Sequence, residues 1–305
     1  MEGSGVVSVE PGQARIGLVG TGVMGRHMAG HILSAGYALH VHTRSRDKAV
    51  AVLEAGAVWA DTPEDLAQAC EVILTIVGYP ADVEKVYFGE KGLLGALRPG
   101  TVLVDMTTSS PELAQRIAAS AGARGGHALD APVSGGDRGA REATLSIMVG
   151  GADAAFRRVK PILEVLGKTI VHHGPSGAGQ HCKMSNQIAV AASTVGVCEA
   201  LAYAQSAGLD AQALLRSIST GAAGSWTLSN LAPRILEGDF SPGFYVKHMV
   251  KDLRLAVDAA QAVGVTVPSL EVHLRLFEEL ASAGFPDAGT HALFKSYDKS
   301  GGQLK

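Results

Sequence analysis

Lys183 lies inside a long apolar stretch, Gln180 to Ala207, with Asn186 three residues further on. On a helix, positions i and i+3 share a face, so an ammonium and an amide would project together near the N-terminal end of that segment. Burying an ammonium costs free energy unless partners satisfy it or a function retains it. Desolvation and the positive end of a helix both favour a neutral amine. A lysine so placed can take up and release a proton near neutral pH, as general acid–base chemistry requires. The bland alternative is a stem lying on apolar surface with its head in water.

Three other segments carry chemistry. Gly20-Thr21-Gly22-Val23-Met24-Gly25 follows a short apolar run and opens a helical one. In that context the glycines permit a tight turn, and the backbone amides with the helix N-terminus can face a pyrophosphate. About 20 residues beyond such a loop an NAD binder places an acid for the ribose hydroxyls. Here the second strand ends His42-Thr43-Arg44-Ser45-Arg46, with no acid before Asp47. Arg44, helped by Thr43, Ser45 and Arg46, suits a ribose 2′-phosphate through a planar charge-assisted fork, which points to NADP(H) with NAD(H) still allowed. Asp47 reads as a cap for the next helix. Asp130-Ala131-Pro132-Val133-Ser134-Gly135-Gly136 presents a hydroxyl and consecutive accessible amides. Such a turn can bind a carboxylate without a cation, or be a plain connection.

Metal chemistry is not expected. His40-Val41-His42 puts both imidazoles on one strand face and His172-His173 puts them on opposite faces, neither with a clustered third ligand. Cys182 neighbours Lys183 but is turned about 100° from it around a helix, which argues against a thiol nucleophile.

The elements that must position these groups alternate from Arg15 onward. Ile16–Val19, Ala38–His42, Val72–Val77, Thr101–Val104, Ala128–Leu129, Leu145–Val149 and Ile170–His172 read as strands, and Met24–Ala35 and Lys48–Ala55 as helices. Strands alternating with helices imply right-handed crossovers and a mostly parallel sheet, hence an α/β doubly wound Rossmann-type unit. After Gly179 strand signals vanish. Helices are expected at Gln180–Ala207, Ala211–Ser219, Leu228–Leu236, Tyr245–Val263, Ser269–Ala283 and His291–Asp298, punctuated by glycine and proline. The expected organisation is a flexible tail over 1–14, an NADP-binding Rossmann domain over 15–176, and an all-α domain over 177–305 entered through the long helix. That helix is too apolar for water, so it should pack between domains or subunits.

With 305 residues, 47% hydrophobic and 18% charged, the chain supports a sizeable core. A net charge of −3 gives no general attraction for nucleic acid or an anionic membrane. Three cysteines in apolar surroundings suggest a reducing compartment rather than a disulfide framework. No apolar run approaches the roughly 18 to 20 residues of a bilayer span. The first residues resemble neither a secretory signal nor a transit peptide, so a cytoplasmic protein is expected.

Five ordered motifs, GLVGTGVMG, VDMTTSSP, DAPVSGG, GAGQHCKMSNQ and PGFYVKHMVKDL, together resemble the beta-hydroxyacid dehydrogenase family, from about Arg15 nearly to the C-terminus. That family includes 3-hydroxyisobutyrate dehydrogenases, tartronate semialdehyde reductases and glyoxylate/succinic semialdehyde reductases. The resemblance implies that Gly20, Gly22 and Gly25 hold the pyrophosphate and that Met24 lies beside the nicotinamide. It implies that Val77, Gly78 and one of Thr107 and Thr108 line the cofactor path, and that Ser134, Gly135 and Gly136 bind a substrate carboxylate. Lys183 would be catalytic, Asn186 would orient the substrate, Lys251 would close over the cofactor and Asp252 would brace it. Trp226, Phe244 and Tyr245 would set the pocket size or belong to the core.

This sequence departs from its relatives at Val77-Gly78-Tyr79-Pro80, where many have Leu-Pro, at DMTTS in place of DMST, and at Gln187, where some carry asparagine. The implied activity is hydride transfer between NADP(H) and a short beta-hydroxy acid/semialdehyde pair, 3-hydroxyisobutyrate dehydrogenase-like, in a homodimer or homotetramer. Glyoxylate/succinic semialdehyde reduction and a catalytically silent NADPH-binding scaffold are the alternatives. Imine reduction fits less well, because relatives with that activity generally replace the lysine.

Overall fold

Alternate residues of each central strand face opposite sides of the sheet, and both sides are covered. In the computed structural model, which describes residues 9–297, Val72, Leu74, Val102 and Val104 join one buried cluster while Ile73 and Leu103 join another. Every residue of the strands Val72–Thr75 and Val102–Asp105 is buried. Continuous apolar runs of this kind belong to parallel strands sandwiched between helices.

The chain divides into two compact units, one ending at Lys183 and one beginning at Met184. The first holds a nine-stranded sheet: β1 Arg15–Val19, β2 Ala38–His42, β3 Val58–Trp59, β4 Val72–Thr75, β5 Val102–Asp105, β6 His127–Asp130, β7 Val133–Ser134, β8 Leu145–Gly150 and β9 Gly167–Gly174. Its order is β3-β2-β1-β4-β5-β6-β8-β7, with β9 also paired to β8. The first six strands in that order are all parallel. They reproduce the doubly wound arrangement whose ligand crevice opens at the carboxyl ends, between β1 and β4. β8 runs antiparallel to β6 and β7, while β9 is parallel to β8.

The crossover helices of this unit are α1 Gly25–Ser34, α2 Val50–Glu54, α3 Pro63–Ala69, α4 Pro80–Phe88, α5 Pro111–Gly122, α6 Gly136–Arg141 and α7 Asp153–Leu166. Local chemistry sets several starts. Thr62 and Asp65 form a reciprocal capping box before α3, and the Ser110 hydroxyl accepts from the Leu113 amide before α5. Proline stands at the first turn of both.

The long helix α8 (Ala178–Ser206) begins in the first unit and continues in the second. There follow α9 Ala211–Ile218, α10 Trp226–Asn230, α11 Ala232–Leu236, α12 Val246–Ala262, α13 Pro268–Ser282 and a closing 3₁₀ segment, Thr290–Ser296. Their core is built from Cys198, Leu201, Leu228, Ile235, Met249, Leu253, Phe277 and Phe294, among others.

The architecture is the expected Rossmann unit followed by a helical one, with differences in detail. β3 and β7 are two residues long, too short to show alternation. The stretch Leu228–Leu236 is broken at Leu231, two residues ahead of Pro233, and His291–Asp298 is 3₁₀ rather than α over its described part. Asp298 and residues 1–8 of the expected tail lie outside the described residues. Val9 departs from that expectation: it is buried, its amide donates to the Arg158 carbonyl at 3.1 Å, and its own carbonyl accepts from the Tyr37 hydroxyl. The run-length reading is corrected too. α8 contains an 18-residue window of mean hydropathy 1.3, long and apolar enough by composition to cross a membrane, with 44% of it buried. Its buried positions nevertheless include Gln180, Lys183, Gln187 and Thr194.

Candidate active site

Because β1, β2, β4, β5 and β6 are parallel neighbours, the segments that leave them emerge along one edge of the sheet. The Gly20–Gly25 turn leaves β1. Gly20 has φ +102°, and a Cβ there would stand 2.1 Å from the Ile76 carbonyl oxygen; one on Gly25 would stand 1.9 Å from that of Gly20. These glycines let β1, β4 and α1 approach at contact distance. Gly22 differs, since a Cβ there would meet nothing within 4 Å. Its open side, together with an α1 start that has no side-chain cap and no acid in its first turn, fits an anionic pyrophosphate. Thr21 is buried, whereas Val23 is 41% exposed.

Thr43, Arg44 and Ser45 leave β2. The Arg44 guanidinium is largely exposed and rests 3.2 Å from Asp82 of α4, the helix after β4. Arg46 does not join it. Its guanidinium stacks 5.3 Å over the Trp59 ring, which itself packs against His42. Asp47 caps nothing: Ser45 occupies the N-cap of the 3₁₀ turn Arg46–Ala49, without a side-chain bond, and Asp47 lies inside that turn.

Behind the ends of β4, β5 and β6 runs a buried polar network. The Thr107 amide donates to Asp105 at 3.0 Å, and the Thr107 hydroxyl accepts from the Val77 amide at 3.0 Å. Thr107 is thus a strut between the β4 and β5 loops, while Thr108 is half-buried. The Gln180 side chain donates to the Thr107 carbonyl at 2.8 Å and accepts from the Ser109 amide at 3.0 Å. Asp130, at the end of β6, accepts from the Gly177 amide at 2.7 Å and the Gln180 amide at 2.8 Å. Burial pushes the Asp130 carboxyl above its usual range, opposed by those amide bonds. Lys183 follows in the next turn of α8 and is only 6% exposed. So low an exposure fits a buried side chain better than a stem lying on the surface with its head in water.

Ser134 closes β7, which runs in the same direction as β6, so Ser134, Gly135 and Gly136 leave the sheet on the same side. Gly135 (φ +124°) and Gly136 (φ +60°) form the start of α6, where no side chain caps the free amides.

In the second unit, Asn186 and Lys251 are joined through two buried residues. The Asn186 amide donates to the Gln187 carbonyl oxygen at 2.7 Å, the Gln187 amide donates to Asp252 at 2.6 Å, and Lys251 pairs with Asp252 at 2.8 Å. Phe244 is half-buried beside His248, and Tyr245 meets the same imidazole edge-on. Burial lowers the His248 pKa, with Lys251 acting in the same direction. Trp226 is 63% exposed at the start of α10 and is not part of the second unit's own core.

Sequence reasoning assigned no role to Asp130 or Gln180. The usable signal was Gln180 itself, a polar residue at the first turn of an otherwise apolar helix. Other candidates have structural partners. His42 bonds the Ala60 carbonyl, and His172 bonds that of Gly151 while stacking on Phe156. Burial pushes the Cys70 and Cys198 thiols up to about 12, and raises Cys182 against the opposing charge of Lys183.

Comparison with known proteins agrees with the fold. Residues 15–174 match the family described as the NAD binding domain of 6-phosphogluconate dehydrogenase, and residues 177–297 match the NAD-binding domain of NADP-dependent 3-hydroxyisobutyrate dehydrogenase. An uncharacterized oxidoreductase of Bacillus subtilis is 51% identical over 93% of this chain and 99% of its own. A probable 3-hydroxyisobutyrate dehydrogenase-like protein of Arabidopsis thaliana, described as mitochondrial, is 44% identical over 95% of this chain and 87% of its own. The solved structure of Mycobacterium tuberculosis 3-hydroxyisobutyrate dehydrogenase with L-serine superposes with a TM-score of 0.85 at 32% identity, covering 93% of this chain and 98% of that one. The chain belongs to the 3-hydroxyisobutyrate dehydrogenase-like beta-hydroxyacid dehydrogenase family and is an NAD(P)-dependent oxidoreductase.

Proposed function

We propose that the protein interconverts a short beta-hydroxy acid and its semialdehyde with NADP(H), 3-hydroxyisobutyrate being the type of acid, and that Lys183 moves the proton. The observation that carries this reading is the burial of Lys183, 6% exposed, one turn into a helix that starts against the crevice edge of a dinucleotide-binding sheet. When bound, the nicotinamide ring supplies or accepts the hydride. In reduction the Lys183 ammonium gives its proton to the carbonyl oxygen as the carbon gains the hydride. In oxidation the neutral amine takes the hydroxyl proton. Asn186 orients the substrate, held by Gln187 and Asp252, and Ser134 with the Gly135 and Gly136 amides binds its carboxylate.

Gly20, Thr21, Gly22, Val23, Met24 and Gly25 cradle the pyrophosphate and nicotinamide side. Val77, Gly78 and one of Thr107 and Thr108 line the path between them, and Lys251 covers the nucleotide, braced by Asp252. Phe244 bounds the substrate space, with Trp226 at its rim. Arg44, flanked by Thr43 and Ser45, takes the 2′-phosphate. An NADP preference favours the reductive direction, since that pool is usually kept reduced. Exposed apolar side chains of the second unit, Tyr203, Leu209 and Val263, support a homo-oligomer.

The test is a paired NADPH/NADH assay against glyoxylate and succinic, methylmalonic and tartronic semialdehydes, with 3-hydroxyisobutyrate run in reverse. The expected result is turnover of the methylmalonic semialdehyde/3-hydroxyisobutyrate pair, with NADPH preferred about tenfold or more, the effect of one charge-assisted hydrogen bond. No hydride transfer with any of these compounds would contradict it.

A further inference from the structure

Asp130 is the last residue of β6 and 3% exposed, and both of its carboxylate oxygens are spent on the start of another element. One accepts from the Gly177 amide at 2.7 Å and the other from the Gln180 amide at 2.8 Å. The first amides of a helix lack intrahelical partners, and a carboxylate that meets two of them holds the helix end in both position and rotation. The socket around it admits nothing larger. A Cβ on Gly150, the registered neighbour of Asp130, would stand 2.6 Å from Asp130 Oδ1 and 2.6 Å from the Gly179 nitrogen. A Cβ on Gly179 would stand 2.3 Å from the Met148 oxygen and 2.9 Å from Asp130 Oδ2. Three elements, β6, β8 and α8, therefore close on a single carboxylate through two glycines.

We propose that Asp130 is the positioning residue of the reaction: it fixes the start of α8 against the end of β6 and thereby sets the location and rotation of Lys183. The proposal rests on the assignment of proton transfer to Lys183. Lys183 is three residues beyond Gln180, and each residue of an α-helix turns by about 100°, so a one-residue slip at the helix start would carry the amine to another face. The Gln180 side chain ties the same turn to the β5 loop, but only the carboxylate holds its backbone amide. A displacement of about 1 Å at a reacting group can cost roughly 100-fold in rate.

The substitution Asp130→Asn keeps the shape of the side chain, but it accepts from only one amide and points an N–H at the other. The full-length variant is compared with wild type, Lys183→Ala and the double variant, using NADPH and whichever compound of the assay series the wild type turns over fastest. The expected result is a kcat about 100-fold lower in Asp130→Asn with KM and NADPH affinity within a few fold. The amides of residues 177–183 should exchange hydrogen faster while the rest of the sheet is unchanged. The double variant should be no slower than Lys183→Ala alone, since a residue that acts through the lysine has nothing left to act on.

Losses that multiply in the double variant, NADPH binding lost in parallel with turnover, or unchanged amide exchange would overturn the proposal. So would a normal Asp130→Asn beside a crippled Lys183→Ala, which leaves the reading of Lys183 intact. A normal Lys183→Ala would instead sink that reading and the proposal with it. If the asparagine variant is recovered unfolded, Asp130→Ser, which leaves room for a bridging water, carries the same comparison.

Discussion

The side-chain amide of Gln180 bonds the β5 loop twice, donating to the Thr107 carbonyl at 2.8 Å and accepting from the Ser109 amide at 3.0 Å. Gln180 is wholly buried, so neither loop group has water to fall back on. Replacing it by leucine should cost about 2–4 kcal/mol, the effect of leaving one buried donor and one buried acceptor unmet. A lower urea midpoint with an unchanged slope would bear this out; an unchanged midpoint would show that the loop is held elsewhere.

Gly22 and Gly25 should respond differently to the same alanine substitution. At Gly25 the new methyl would strike the Gly20 carbonyl, so the fold itself should be destabilised. At Gly22 it would meet no protein atom, so thermal stability should stay within about 0.5 kcal/mol, as for ordinary surface changes. NADPH affinity should nevertheless fall about tenfold or more in Gly22→Ala, because the open side is where the pyrophosphate is proposed to lie. Thermal melts paired with NADPH fluorescence titration read both effects; undiminished NADPH binding by Gly22→Ala would count against the cradle.

Arg44 faces a choice of anions. Its guanidinium pairs with Asp82 at 3.2 Å, and in the proposed complex it would turn to the 2′-phosphate. Arg44→Ala should weaken NADPH by about 10- to 100-fold, the worth of a charge-assisted bond, and leave NADH within a few fold. Asp82→Asn should tighten NADPH slightly by removing the competing carboxylate. Equal losses for the two nucleotides in Arg44→Ala would argue that the residue is only a surface charge.

Much of this was legible in the sequence, and the reasons for what was not are physical. β2 was expected over its observed span, because Ala38–His42 alternates between buried and half-buried positions as a strand beside a core should. Lys183 stood out for the opposite reason, a charge in an apolar run. β3 and β7 are too short for any period to show, and the antiparallel pairing of β8 depends on tertiary contacts that spacing does not encode. Asp130 and Gln180 are 50 residues apart, and their bond joins a side chain to a backbone amide, so the amide end carries no side-chain signature. Asp47 misled because an acid near a helix start resembles a cap, whereas the cap position fell to Ser45.

Acid should loosen the sheet at Glu71. Burial alone would raise its carboxyl, but hydrogen bonds from the Arg15 side chain and backbone and from Arg98 outweigh it and hold the group at about 2. A carboxyl whose folded value lies below its unfolded one adds stability above the unfolded value and loses it as pH falls towards the folded one. The loss should therefore fall between about pH 4.5 and 2. Glu71→Gln should melt lower than wild type at neutral pH and converge with it near the acid end. Parallel melting curves across that range would contradict the assignment.

The most direct measurement follows a single turnover of Lys183→Met with NADPH already bound, recording loss of the reduced nicotinamide absorbance on mixing with the preferred semialdehyde. Methionine keeps the length of the buried stem and removes the exchangeable proton. The expected result is wild-type NADPH affinity with hydride transfer slowed about 100-fold or more, the contribution typical of a positioned acid–base group. Transfer at the wild-type rate would contradict it.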